Sequence, residues 1–235
     1  MITSKISSLG LKDGAGTRIL VIGAQNTGKT SLAFRLAYES AENGGCPLFI
    51  CNQAKLESKL PLTVHYTSEH SQMRMSSDIL SRIQMKYVTS MNELKAVIAG
   101  LHGFTPIPTM LIIDDLSLLI DPLHSVPRGD PKFLEICLSL GAYMDDVLNF
   151  LSAKNASSSS NKLQLVVTDC CDEAGFVHML QKNVHSVAKL VKPSGADHYS
   201  LVSISDSRGK RTSSSGGNYV LLAKIEFSEG QLFCE

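Results

Sequence analysis

The 235-residue sequence carries no excess of either charge, with 22 Lys and Arg against 22 Asp and Glu. The balance also holds along the chain, 12 basic and 11 acidic residues over 1–130 and 10 and 11 over 131–235. A wholesale cationic nucleic-acid binder is thereby excluded. No apolar run approaches the roughly 18 residues of a membrane helix, and Met1 to Gly16 lacks the continuous apolar segment of a secretory signal. The expectation is a soluble, intracellular protein with no membrane partner. The six cysteines form no C-x-x-C pair, so free buried thiols are expected rather than a zinc or disulfide framework. The best metal alternative, Cys170 and Cys171 with His178 and His185, fails because adjacent cysteines are poorly placed to ligate one tetrahedral ion. Charged residues are scarce, 19% against the roughly 25% usual in soluble proteins. With 43% apolar residues and a mean hydropathy of +0.07, disorder is excluded, and the surplus apolar surface points to a partner face.

The length suits one domain with one substantial core, expected over 18–235 after a short lead of residues 1–17. Arg18-Ile-Leu-Val-Ile-Gly reads as a strand, and Ser31 to Glu42 carries apolar residues at helical spacing. Pro47 to Cys51 predicts a second strand, followed by a polar loop to about Ser77, and Ile83-x-Met85-x-Tyr87 alternates as a strand does. Ser90 and Glu93 stand at capping-box spacing before Leu94, Val97, Ile98 and Leu101, which share one helical face. The run Met110-Leu-Ile-Ile-Asp114-Asp115 is a buried parallel strand ending in acid. Asp130-Pro131 opens a long helix to about Leu151, and residues 152–162, rich in Ser and Asn, read as a flexible loop. Leu163 to Thr168 predicts a buried strand, and antiparallel strands are expected near Ser200–Ser205 and Tyr219–Phe227 around a basic loop over 207–217. Alternating strands and helices followed by strand-rich sequence predict an α/β fold, a mostly parallel sheet with an antiparallel C-terminal extension.

Gly23-Ala24-Gln25-Asn26-Thr27-Gly28-Lys29-Thr30 fits G-x-x-x-x-G-K-[ST] at every fixed position, between a strand and a helix. Glycines let the main chain curl so that its N–H groups point inward, and the helix start adds its positive dipole end. Phosphate oxygens fit such a cup. Lys29 is expected along the β- and γ-phosphates and the Thr30 hydroxyl on Mg²⁺, with Asp114, 85 residues after Lys29, as a further carboxylate of the metal shell. A nucleoside triphosphate with Mg²⁺ is therefore the expected ligand. Asp115, on the assumption that it continues the strand, points to the opposite side and takes a structural or loop-capping role. A GTPase would need N-K-x-D; the nearest string, Asn161-Lys162-Leu163-Gln164, lacks the acid.

The order of phosphate loop, strand, loop, strand, helix, acid-ended strand, long helix, strand and C-terminal antiparallel section resembles the RecA-like recombinase core, over roughly Arg18 to Phe227. Leu80-x-x-Ile83-Gln-Met-Lys-Tyr87 with Ser90-x-x-Glu93-Leu94, and the lack of a helical domain before the phosphate loop, are similar to the recombinase paralogues of Shu-type complexes that work beside a SWIM-domain protein. The resemblance implies a RecA-like P-loop NTPase core with helices on both faces. It further implies ATP binding, a zinc-binding SWIM partner, contact with a RecA-type strand-exchange recombinase and its paralogues, and homologous recombination repair in the nucleus. In active relatives the strand after the P-loop helix ends in a glutamate that activates water; Gln53 stands there, and an amide cannot accept the proton. The later strand of that family ends in an Asn-Gln pair where this chain has Asp169-Cys170. ATPase activity is therefore expected to be slow.

Arg208, Lys210 and Arg211 form the densest basic cluster. They admit two readings, a solvated hairpin loop or weak, salt-sensitive contact with single-stranded DNA. The segment Gly175 to Lys192, with Phe176, Lys182, Lys189 and Lys192, falls where recombinases place DNA-facing loops, and equally reads as an amphipathic helix. Phe34-x-x-Ala37 has the spacing of a recombinase self-association signature, but inside the P-loop helix it reads as core. The expected protein is an ATP-binding accessory subunit of recombination; a non-catalytic nucleotide-ordered scaffold and a P-loop kinase of small metabolites are the alternatives.

Overall fold

Strand β1, Arg18–Gly23, is buried almost throughout because helices cover both faces of the sheet at its centre. Its side chains alternate: Leu20 and Ile22 join one apolar cluster, Ile19 and Val21 the other. The computed structural model describes residues 18–61, 64–66, 72–120, 130–154, 163–170, 184, 186–192, 198–204, 219–228 and 231–234. In chain order β1 is followed by α1 (Lys29–Glu42), β2 (Pro47–Cys51), α2 (Gln53–Ser58), β3 (Val64–Tyr66), β4 (Gln72–Arg74), α3 (Ser77–Leu80), β5 (Gln84–Tyr87) and α4 (Met91–Ala99). A 3₁₀ turn, Gly100–Gly103, leads to β6 (Met110–Ile113), α5 (Leu116–Ile120) and α6 (Pro131–Lys154). Five strands complete the chain: β7 (Gln164–Asp169), β8 (Ser186–Val191), β9 (His198–Ile204), β10 (Tyr219–Ser228) and β11 (Gln231–Cys234).

The described strands form one sheet in the order β4-β3-β11-β10-β9-β8-β1-β7-β6-β2-β5. From β8 to β5 every pairing is parallel, and β9 and β10 continue the sheet antiparallel. Helix α1 covers one face through Leu32, Ala33, Leu36, Ala37 and Ala41. Helices α4, α5 and α6 cover the other through Leu94, Ile98, Leu116, Leu119, Leu140, Met144 and Leu148. Because the central strands run the same way, β1, β6 and β7 all end at one edge of the sheet. In open parallel sheets that edge is where ligand-binding loops gather.

Local chemistry explains the helix starts. Ser90 Oγ accepts from Glu93 N, and Glu93 Oε2 accepts from Thr89 N at 2.7 Å. The capping pair is thus present with its return bond one residue early. Asp130 Oδ1 accepts from Lys132 N at 2.7 Å, which holds the proline-led start of α6. Phe34 meets Phe49 edge to face at 5.8 Å and Ala37 is fully buried, so that pair is core as expected.

Three expectations need correction. Helix α6 runs to Lys154, three residues into the segment expected as loop, since Ser152, Ala153 and Lys154 include no helix breaker; 155–162 lies outside the described residues. The end of the Gly175 to Lys192 segment is neither a DNA-facing loop nor a helix: Ser186–Val191 is β8, paired in parallel with β1. Lys189 lies within that strand, and Lys192 just beyond it holds its Nζ 5.9 Å from the centre of the Tyr199 ring. The stretch after β2 to about Ser77, expected as a polar loop, holds α2 at 53–58 and the short strands β3 and β4. The lead of residues 1–17, Phe176, Lys182 and the basic residues Arg208, Lys210 and Arg211 lie outside the described residues. No helix of the described residues is long and apolar enough to cross a membrane.

Candidate functional site: a phosphate loop facing two acids

The turn between β1 and α1 is built from residues that tolerate left-handed backbone. Asn26 has φ 61 and Gly28 φ 86, and such reversals turn successive N–H groups toward one concavity. Gly23 lies where β1 meets β8: a Cβ there would stand 3.0 Å from the Leu190 carbonyl oxygen and 3.1 Å from Thr27 Oγ1. Thr27 Oγ1 closes the loop by donating to the Ala24 carbonyl at 2.9 Å. Helix α1 starts at Lys29 with Gly28 as its N-cap and no side-chain cap, so its first N–H groups are left for a ligand.

Lys29 is buried, and its Nζ donates to the Gly23 and Ala24 carbonyl oxygens at 2.9 and 2.7 Å. Burial lowers its pKa, although Asp115, Cys170 and Asp114 work in the opposite direction. The ammonium is thus folded back on its own loop, a short swing from any phosphate seated there.

Thr30 and Asp114 meet as the sequence predicts. Thr30 Oγ1 lies 2.9 and 3.1 Å from the two Asp114 carboxylate oxygens, and Asp114 is 1% exposed. Thr168 Oγ1, at the end of β7, donates to Asp114 Oδ1 at 2.7 Å and accepts from Asp115 N at 2.8 Å. Asp115 corrects the strand-alternation argument. Strand β6 ends at Ile113, and Asp115 adopts φ 58, so the period of two no longer governs where it points. Its Oδ2 lies on the same side as Asp114, 2.9 Å from Lys55 Nζ, and its buried Oδ1 has no hydrogen-bond partner among the described residues. Ligand atoms of Asp115, Asp169 and Cys170 lie within 4.8 Å of one another, and Cys170 Sγ is 3.4 Å from Ser117 Oγ.

Gln53 is the first residue of α2, exposed, and its Nε2 donates to Glu57 Oε1 at 2.7 Å. The side chain from α2 that reaches the acids is Lys55. Its Nζ lies 2.9 Å from Asp114 Oδ2 and 3.4 Å from Thr30 Oγ1. Burial lowers the Lys55 pKa, but Asp114 and Asp115 raise it by more, and it ends above its ordinary value. Asn52 positions this lysine, accepting from Lys55 N at 3.1 Å as the N-cap of α2. Sequence reasoning missed Lys55 and Thr168; Asn52 directly after an apolar strand was the available signal for a helix start.

The donors fit the groups the motif implies. Thr30 Oγ1, Asp114 and the partnerless Asp115 Oδ1 are hard oxygens of the kind Mg²⁺ takes. The glycine loop, Lys29 and the uncapped start of α1 suit a chain of phosphates.

No family model matches the chain. It is similar to the mouse (Mus musculus) protein ATPase SWSAP1, 28% identical over 169 residues that make up 72% of this chain and 56% of the relative. The chain therefore matches little more than half the length of that relative. Among solved structures, the flagellar accessory protein FlaH of Methanocaldococcus jannaschii superposes with a TM-score of 0.61 at 14% identity, over 100% of this chain and 96% of that one. A KaiC-like protein from Pyrococcus horikoshii gives 0.57 at 14% identity, over 94% and 90%. These likenesses establish an α/β RecA-like core with an antiparallel C-terminal section, and they bear out the resemblance to RecA-like paralogues close to SWSAP1.

Proposed function

From the RecA-like fold, we propose that this chain binds Mg·ATP at Gly23–Thr30 and acts as a recombinase-paralogue subunit in homologous recombination, with slow ATP hydrolysis. The observation that carries the nucleotide reading is the meeting of Thr30 Oγ1 with the buried Asp114 carboxylate at 2.9 Å, directly after a phosphate loop whose lysine is folded inward. The loop amides from Gly23 to Thr30 would grip the phosphates, and Lys29 would leave its two carbonyl partners for the β- and γ-phosphate oxygens. Thr30 and Asp114 would hold Mg²⁺, which neutralises phosphate charge when bound, and Thr168 would keep Asp114 in register.

Slow hydrolysis follows from Gln53. A general base must reach the attacking water and accept its proton; Gln53 is an amide, already paired with Glu57 on an exposed face. The same observation favours a second reading in which nucleotide only orders the surface shown to a partner. The partners in the reading are a zinc-binding SWIM-domain protein and a strand-exchange recombinase, with single-stranded DNA bound weakly through Arg208, Lys210 and Arg211, in the nucleus. The similarity to mouse SWSAP1 supports this assignment.

Titration calorimetry of the purified chain with Mg·ATP is the test. Uptake by wild type and its loss in Lys29→Ala are expected, with turnover below that of active RecA-type enzymes. No uptake at millimolar nucleotide overturns the reading, and turnover stimulated by a small metabolite would make the chain a kinase. Partner capture that survives Lys29→Ala would leave the scaffold.

A further inference from the structure

Lys55 occupies the place where the metal ligands converge. Its Nζ stands 2.9 Å from Asp114 Oδ2, 2.9 Å from Asp115 Oδ2 and 3.4 Å from Thr30 Oγ1. Magnesium approaches oxygen to about 2.1 Å, and it would draw on the same lone pairs of Thr30 and Asp114 that now face the ammonium. Asp114 has little acceptor capacity to spare, since Oδ1 also takes Thr168 and Thr30 lies against both oxygens. Ammonium and metal therefore exclude each other from this position.

The lysine is placed to leave. Its side chain is 31% exposed while Asp114 is 1% and Asp115 14%, so the cation is at the wet rim and the acids are inside. It arises from the first turn of a six-residue helix held by the Asn52 cap and the buried Leu56. Two close carboxylates without a cation repel each other and are costly to desolvate, which gives the lysine a task whenever no divalent ion is present.

Resting on the Mg·ATP reading above, we propose that Lys55 is a built-in counter-ion for the Asp114–Asp115 pair, a positioning residue that keeps the acids in place and divalent cation out until nucleotide arrives. Loading Mg·ATP then displaces the Lys55 ammonium, and the start of α2 reports whether the site is filled. Free Mg²⁺ alone does not displace it.

The first test needs no nucleotide. Wild type, Lys55→Met and Lys55→Arg are titrated with MgCl₂ alone by calorimetry, and their melting midpoints are read in EDTA and in MgCl₂. Expected are a lower midpoint for Lys55→Met in EDTA, its recovery in MgCl₂, and Mg²⁺ binding about tenfold or more tighter than in wild type. Lys55→Arg, which retains the cation, should follow wild type. A Lys55→Met protein as stable in EDTA as wild type, or indifferent to MgCl₂, overturns the proposal. Should Lys55→Met fail to fold, a second measurement uses wild type: brief acetylation of amines read by mass spectrometry, with and without Mg·ATPγS. Loss of Lys55 protection on loading is expected, and unchanged labelling in a nucleotide-bound sample overturns the idea. If wild type takes up no nucleotide, the Mg·ATP reading fails by itself, while the MgCl₂ titration still decides what Lys55 does.

Discussion

Thr168 Oγ1 donates to Asp114 Oδ1 at 2.7 Å and in the same position accepts from the Asp115 amide at 2.8 Å. One hydroxyl thus ties the end of β7 to the ends of both acids beyond β6. Thr168 is fully buried, so the lost bond cannot be replaced readily by water. Thr168→Val keeps the shape and removes the hydroxyl. Deleting a bond to a buried charge costs about 1.5–3 kcal/mol, and denaturant unfolding should show a loss of that size. Mg·ATP affinity should fall with it, because Asp114 is no longer held toward Thr30. Unchanged stability and affinity would mean that Asp114 is positioned by Thr30 and Lys55 alone.

The parts that could be read from the sequence are those whose physics is local. Strands β1, β2 and β6 are short apolar runs between punctuating residues, and the phosphate loop needs only its own glycines, lysine and threonine. Asp114 was legible because it ends such a run. Asp115 was misread because alternation holds only while a strand continues; β6 ends at Ile113, and Asp115 itself is left-handed. Lys55 was invisible as a site residue because its role depends on α2 folding back over strand ends that lie 59 residues later in the chain. Strand β8 was hidden for a related reason: its six residues include Lys189 within the strand, and only pairing with β1 on one side and β9 on the other makes it central.

Gly28 is the N-cap of α1 at φ 86, a conformation that costs a residue bearing a Cβ about 1–2 kcal/mol. Gly28→Ala should therefore lower stability by roughly that amount, measured as a shift of the denaturation midpoint. The loop can relieve the strain only by changing the direction of its amides, so nucleotide affinity should fall by about tenfold or more. Full nucleotide affinity in a destabilised Gly28→Ala protein would show that the loop amides do not grip the phosphates.

Cys51 closes β2 and is 1% exposed. Burial, assisted by the negative charge of Asp114 and opposed by Lys55, pushes its thiol up to about 12. The thiolate is the reactive form, and at pH 8 it would be about one part in ten thousand. Iodoacetamide followed by mass spectrometry should label the half-exposed Cys46 and Cys170 well before Cys51, which should react only on unfolding. Early labelling of Cys51 in folded protein would show that the β2 end opens readily.

Arg35 and Glu39 lie one turn apart on α1, Nε to Oε1 at 3.0 Å, each with a side chain only 12% exposed. Burial raises the Glu39 pKa above its ordinary 4.5; Arg35 draws it down and Glu42 adds to the rise. A folded-state value above the unfolded one means that the folded chain holds the proton more tightly. The stability this group contributes is complete below about 4.5 and is lost as pH climbs through the raised value. Glu39→Gln cannot titrate and so lacks this slope. Melting midpoints taken across weakly acidic pH should show wild type losing ground to Glu39→Gln from 4.5 upward, then a constant difference once Glu39 is fully ionised. Wild type gaining on the variant over the same interval would mean that the attraction of Arg35 exceeds the cost of burying the carboxylate.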